Sequence, residues 1–335
     1  MRTLLNQQTL RQKQLIEWIN SSTSLRCEKL HMVYGDASFR RYFRFIEDGQ
    51  SFIAVDAPPE YEDSRKFASV AEAYQQQGVS VPIIHAIDHD LGFYCLQDFG
   101  DKLFADALEP QNCHLLYRDA LSYLPVIQSC TKTALGTLPA FDDALITAEF
   151  ELFTHWLLKI HLDLQLSENE QTMIQQTLDY LRGAFFAQPQ VGVHRDYHSR
   201  NLMLLADNKM GVIDFQDAVI GPITYDAVSL LRDCYQTWPS ALVYIWLKEW
   251  HKEYYSQYSW SEFKRWFDLT GMQRHIKASG IFARLCHRDG KQRYLQDIPR
   301  TLQYLCDVGS QYEQCQQFAE FVQSKVKPAV EQSIK

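Results

Sequence analysis

The sequence predicts an α+β chain in two lobes, a small antiparallel sheet first and a larger, mainly helical part after it. Three observations carry that reading. Strand-like alternation crowds the first hundred residues, as where Phe39, Arg41, Phe43 and Phe45 are set against Arg40, Tyr42 and Arg44. Beyond Gly100 the apolar spacing turns helical almost throughout. With 335 residues, 46% of them hydrophobic, the chain is long enough to fill two cores.

The elements follow in order. Leu5, Leu15, Trp18 and Ile19 give a helix over 4–19. Strands are expected at 28–34, 39–46 and 51–55. A helix over 64–77 carries Phe67, Val70, Ala71 and Tyr74 on one face, with Gly78 as its stop. Strands at 83–87 and 93–96 lead to Gln97-Asp98-Phe99-Gly100-Asp101, and the lobes divide there, 1–98 and 99–335. Helices are expected at 111–130, 145–161, 168–187, 224–235, 239–257, 260–286 and 300–323. The aromatic residues dense after Trp238 read as helix packing rather than as a sugar-stacking platform.

Bulk properties exclude several classes. A net charge of −8 gives no attraction to nucleic acid or to an anionic membrane. No apolar run approaches the ~18–20 residues of a membrane span, and the first residues do not read as a secretion signal. Eight scattered cysteines without a C-x-x-C pair indicate neither zinc nor a disulfide frame. His194 and His198 lie in a loop, not on a helix face, so a zinc site is not expected there. The expectation is a reduced cytoplasmic enzyme with no obligatory protein partner.

The informative segment is His194-Arg195-Asp196-Tyr197-His198-Ser199-Arg200-Asn201, followed by Ile213-Asp214-Phe215. Asp196 stands five residues before Asn201, and Asp214 thirteen after it. Phosphoryl transfer from ATP needs a carboxylate to orient and deprotonate the attacking hydroxyl. It also needs an amide oxygen and a carboxylate oxygen to hold Mg²⁺ on the phosphates. Asp196 is the candidate base, and Asn201 and Asp214 are the candidate metal ligands. The apolar runs Leu202–Leu205 and Met210–Ile213 around Asp207-Asn208 predict a hairpin with Asn201 and Asp214 at its open ends.

These residues resemble H-R-D-x-x-x-x-N and D-F-G of protein kinases, with the third letter of the metal motif changed. The stretch is more similar to the aminoglycoside phosphotransferase and choline kinase-like superfamily, whose metal motif is I-D-F or I-D-W. Gly221-Pro222-Ile223-Thr224-Tyr225-Asp226-Ala227 resembles that family's G-P-x-x-x-D-x-A, with Thr224 as a helix N-cap and Asp226 as a structural helix-start carboxylate. The resemblance implies a bilobal protein kinase-like fold with ATP and Mg²⁺ as cofactors. It places a hinge near Gln97 and Phe99, where backbone groups would meet the adenine edge.

The first lobe departs from the kinase pattern. The phosphate-covering loop Gly35-Asp36-Ala37-Ser38-Phe39-Arg40-Arg41 has one glycine, leaving backbone N–H groups and the Ser38 hydroxyl to cradle phosphate. The third strand ends in Asp56 where a lysine is expected, and Lys13, Lys29 and Lys66 all lie off that strand. Arg40, Arg41 and Arg44 are the nearest cations, with Arg41 or Arg44 expected to take the lysine's part and Glu72 to pair with whichever turns inward.

Gly35 to Arg44, Asp56-Ala57-Pro58-Pro59-Glu60, the run His194 to Met203 and Gly280 to Lys291 narrow the resemblance to a bacterial subgroup. These are the anomeric sugar kinases of cell-wall recycling, which phosphorylate N-acetylmuramate and N-acetylglucosamine at C1. The resemblance runs from about residue 34 to 300 and implies a small amino sugar as substrate. Between Arg274 and Arg300, seven Lys/Arg stand against two acids. That excess suits an anionic acceptor rather than a cationic antibiotic or choline, unless it is a solvated helix face. Two rival readings stay open: the same chemistry on another acceptor, or a nucleotide-binding pseudokinase.

Overall fold

The computed structural model describes residues 2–33, 40–206 and 209–334, with side chains from residue 8 onward. The chain forms two compact units. One comprises Met1–Ala107, Lys132–Thr137 and Asn201–Asp217; the other comprises Leu108–Thr131, Leu138–Arg200 and Ala218–Lys335.

The first unit is built on a five-stranded antiparallel sheet, in spatial order β1 (His31–Met32), β2 (Arg41–Glu47), β3 (Gln50–Asp56), β5 (Phe93–Gln97) and β4 (Ile84–Asp88). The β2–β3 turn is Asp48-Gly49, with φ of 50° and 81°. Two left-handed residues give the turn twist that matches two strands, which fixes the register at Glu47 opposite Gln50. One sheet face presents Phe43, Phe45, Phe52, Ala54, Phe93 and Cys95 to Leu15, Trp18 and Ile19 of α1 (Arg2–Ser22). The opposite face is covered by α2 (Ser64–Gln76), where Phe67 stacks on Tyr94 at 5.2 Å. Asp63 caps α2 by accepting the Arg65 N–H, and Gly78 at φ 85° ends it, as its position in the sequence predicts.

The second unit is helical around one long helix, Trp260–Asp289, which packs against the π-helical segment Leu152–His161 and the helices Glu168–Phe186 and Ile298–Gly309. Ser259 caps its start, and Gly290 at φ 69° closes its end. Helix spacing placed these elements correctly but overran three breaks. The expected helix 111–130 divides at Tyr123, because Pro125 has no N–H to offer the Leu121 carbonyl. Expected helix 145–161 is α-helical only over Asp143–Glu151 before it widens into the π segment. Expected helix 300–323 breaks after Gly309, which packs so close to Ala319 that a Cβ there would lie 2.9 Å from it. Of the aromatic residues dense after Trp238, Trp246, Trp250, Tyr255 and Trp266 are core; Trp246 is 1% exposed and stacks on Tyr117 at 4.4 Å.

Candidate active site

The hairpin Leu202–Leu204 and Met210–Val212 forms in the first unit, with Gly211 opposite Met203; its Asp207-Asn208 turn lies outside the described residues. Its open ends come together as the sequence implies. Ile213 donates to the Asn201 carbonyl at 3.0 Å, and the Asn201 amide stands 3.4 Å from the Asp214 carboxylate. Two anchors hold this geometry. Gly211 lies under the Phe99 ring, where a Cβ would fall 2.7 Å from a ring carbon. Phe215 is fully buried, 4.9 Å from the Phe67 ring and 5.8 Å from Tyr74. Burying Phe215 while leaving Asp214 43% exposed forces Asp214 into left-handed backbone at φ 64°. Such a conformation costs on the order of 1–3 kcal/mol and persists because the surrounding packing dictates it.

The loop carrying Asp196 belongs to the second unit and is pinned mainly through its backbone. The buried Asp226 carboxylate accepts the N–H groups of His194 at 2.8 Å and Arg195 at 3.1 Å. Asp233 accepts the Ser199 N–H at 2.9 Å, and Tyr197 donates to the Ala120 carbonyl at 2.8 Å. Arg195 is left-handed, φ 77°, and its carbonyl accepts from Arg274 at 2.8 Å. Asp226 is thus the structural carboxylate expected, with burial pushing its pKa up. Thr224 is not the capping side chain anticipated: its hydroxyl donates to Gln188 at 2.7 Å instead.

Asp196 itself is half-buried. Burial raises its pKa, but Lys277, Arg274, His198 and Arg195 together outweigh that and hold the carboxyl well below the usual carboxylate range. Behind it, Glu149 is 4% exposed and accepts from Lys277 at 2.8 Å, Arg195 at 2.9 Å and Gln273 at 2.8 Å. Glu149 and Gln273 were invisible to motif reading. The one sequence signal for Glu149 is that it shares a helix face with Ile146 and Phe153, beside Phe150. The basic segment divides accordingly: Arg274 and Lys277 serve this loop, whereas Arg288 makes a surface pair with Asp289.

The arginines of the first unit are distributed differently from expectation. Arg41 pairs with Asp56, which is fully buried and also takes Arg11 at 2.6 Å. Arg44 pairs with Asp98 at 3.0 Å and Asp101 at 2.8 Å, so both candidates for the lysine's part are held by carboxylates. Arg40 is 7% exposed, 3.4 Å from Glu62 and 3.7 Å from Asp214. Glu72 does not pair with an arginine there; it is exposed and bonds Gln76 at 3.2 Å. Gln97 is engaged with Ile83, donating its N–H at 2.8 Å and accepting through its side chain at 3.3 Å. Ser38 lies outside the described residues, with the rest of 34–39.

Among the described residues no group of three His, Cys, Asp or Glu side chains gathers to hold a metal. Magnesium does not require one, since it binds through one or two protein oxygens together with waters and substrate phosphates. The half-exposed Asp214 carboxylate and the Asn201 amide at 3.4 Å fit that demand.

A five-stranded antiparallel sheet, a helical unit and these two loops define a kinase-like phosphotransferase. The fold is shared with choline kinase LicA from Streptococcus pneumoniae, at TM-score 0.62 and 11% identity over 88% of this chain and 99% of that one. ADP-bound aminoglycoside phosphotransferase APH(2'')-Ib gives TM-score 0.58 and 14% identity over 87% and 97%. The chain belongs to the phosphotransferase enzyme family, whose profile matches residues 32–262. It is 42% identical over 278 residues to the N-acetylmuramate/N-acetylglucosamine kinase of Pseudomonas putida, covering 82% of this chain and 81% of that protein. The kinase of the same name from Neisseria meningitidis is 38% identical over 312 residues, covering 90% and 92%.

Proposed function

We propose that this enzyme transfers the γ-phosphoryl group of ATP to the anomeric C1 hydroxyl of N-acetylmuramate and N-acetylglucosamine, in the cytoplasm, for cell-wall recycling. The carrying observation is the Asp196 loop set among Arg195, Arg274 and Lys277, which Glu149 and the Arg195 carbonyl hold in place. An anomeric hydroxyl is more acidic than an ordinary alcohol, which makes the demand on the Asp196 carboxylate modest. The cationic surroundings also suit an anionic acceptor such as the lactyl carboxylate of muramate. The relatives' names supply the sugar. The eight free cysteines accord with a reducing compartment, and among the described residues no helix is long and apolar enough to cross a membrane.

In the reaction the C1 oxygen attacks the γ-phosphorus while its proton passes to an Asp196 oxygen. The bond from that phosphorus to the bridging oxygen breaks, and ADP leaves with the electron pair. Magnesium, when held by Asp214 and Asn201, supplies charge neutralisation on the phosphates. The Gln97 N–H is committed to Ile83, which leaves the backbone at Asp98 and Phe99 to meet the adenine edge in this reading.

An ADP-release assay over a small acceptor panel tests this reading. Turnover is expected with both N-acetylated sugars, and none with the 1-O-methyl glycoside of N-acetylglucosamine, choline or kanamycin. Equal turnover of the methyl glycoside would rule out C1 as the acceptor, and turnover confined to choline or kanamycin would rule out the sugar.

A further inference from the structure

We propose that Arg40 is the cation that grips the nucleotide phosphates, in place of the missing third-strand lysine. The inference rests on the phosphotransferase reading above and adds to it a residue supplied from the start of a different strand.

Alternation along β2 separates the arginines. Phe43 and Phe45 belong to the core under α1, and Arg41 shares their parity, with its guanidinium 5.6 Å over the Phe43 ring. The register sets Arg41 opposite Asp56, and Phe43 opposite Ala54, on that same α1 face. Asp56, at the strand end where kinases carry a lysine, therefore faces α1 and is sealed between Arg11 and Arg41. No side chain at that position reaches the other face without turning the strand over.

Arg40 has the opposite parity, that of Tyr42, which the register pairs with Val55 and through it with Tyr94. This is the face covered by α2, on which Phe215 is buried against Phe67 and Asp214 is thereby fixed. Arg40 sits between two carboxylates, Nε toward Glu62 at 3.4 Å and Nη2 toward Asp214 at 3.7 Å. Both contacts are long, and neither is the two-pronged pairing that Arg41 makes with Asp56. Glu62 aims the group toward Asp214.

The position is what gives this meaning. A guanidinium 3.7 Å from the candidate metal carboxylate lies within reach of the phosphates that any metal on that carboxylate would carry. The lysines before residue 100, Lys13, Lys29 and Lys66, are all exposed, and Arg44 is committed to Asp98. Among the described side chains of the first unit, Arg40 is the cation beside Asp214.

Equilibrium binding of MgATP and of adenosine to the full-length chain, read by calorimetry beside the thermal midpoint, tests the assignment. Arg40→Ala is expected to weaken MgATP at least about tenfold with adenosine affinity unchanged, and Arg40→Lys to restore part of the loss as a point charge without the fork. Arg41→Ala, on the α1 face, is expected to lower the thermal midpoint and leave MgATP affinity alone. Should Arg40→Ala not fold, Arg40→Gln keeps the reach and a donor for Glu62 and carries the same expectation. MgATP binding by the Arg40 variants within about twofold of wild type overturns the assignment, as does equal weakening of adenosine, which would mark a shape role. Wild-type protein that binds no MgATP would instead overturn the ATP-dependent reading itself.

Discussion

Asp196→Asn is expected to lower kcat by roughly 10²–10⁴-fold, with MgATP affinity held within about a factor of two. The substitution keeps the shape and one acceptor oxygen but removes the charge that takes the C1 proton. Its effect should fall on kcat rather than on KM for nucleotide, because the candidate metal ligands are Asn201 and Asp214. The pH dependence follows from the direction of the shift. A carboxylate held below its usual range is ionised throughout pH 5–8, so loss of activity on the acid side should begin below the ordinary carboxylate pKa. The same group adds stability above its unfolded-state pKa and loses that contribution as pH falls toward its folded one. Steady-state kinetics from about pH 3 to about pH 8, spanning the ordinary carboxylate pKa, with calorimetric nucleotide binding check both halves. A variant with near-normal kcat would remove Asp196 from the mechanism.

The reason for expecting so large an effect is the network around the loop. Arg195, Lys277 and Arg274 bring three positive charges close to Asp196, and Glu149 balances only part of them. Asp226 fixes the backbone leading into the left-handed Arg195 by accepting two consecutive N–H groups, and Arg274 holds the Arg195 carbonyl after it. The loop is thus held by groups that do not themselves need to touch an acceptor, and the remaining carboxylate is Asp196.

How much of this could be read from residues alone differs between the two pieces. The nearness of Asn201 and Asp214 was legible, because two apolar runs about an Asp-Asn turn impose a register that brings their ends together. Helix α2 was legible too, since its apolar spacing and Gly78 speak locally. The arginine assignment was not. Alternation separates Arg41 from Arg40, yet both faces of the sheet are covered, one by α1 and one by α2. Nothing in a strand pattern tells which covered face is the polar one. The partner carboxylate was likewise hidden, because Glu62 comes from the turn after Pro58-Pro59 whereas Glu72 has the helical position that motif reasoning favours. Glu149 escaped for a related reason: its partners Gln273 and Lys277 lie more than a hundred residues away in the sequence.

Gly280→Ala is expected to destabilise the protein by about 2–3 kcal/mol and to slow turnover without touching the candidate catalytic or binding residues. Helix propensity alone argues the other way, since alanine in a helix interior is worth about 1 kcal/mol over glycine. Steric overlap decides the sign. A Cβ at residue 280 would lie 2.2 Å from the Leu152 carbonyl carbon and 2.5 Å from the Phe153 nitrogen. Those are backbone atoms of the π-helical segment, so no rotamer relieves the clash and the two helices must part. Glu149 lies one turn before Leu152, and Gln273 and Lys277 lie on the turns of the long helix leading to Gly280. Parting the helices there stretches the 2.8 Å contacts of Glu149 to Lys277 and Gln273, and with them the setting of Arg195. Gly183→Ala is the matched control, in the helix Glu168–Phe186 with nothing within 4 Å of the added Cβ. It should gain about 1 kcal/mol. Thermal melts read both: a fall of roughly 5–10 °C for Gly280→Ala and a small rise for Gly183→Ala. An equal rise at both positions would mean that the close approach at residue 280 does not hold the two helices in register.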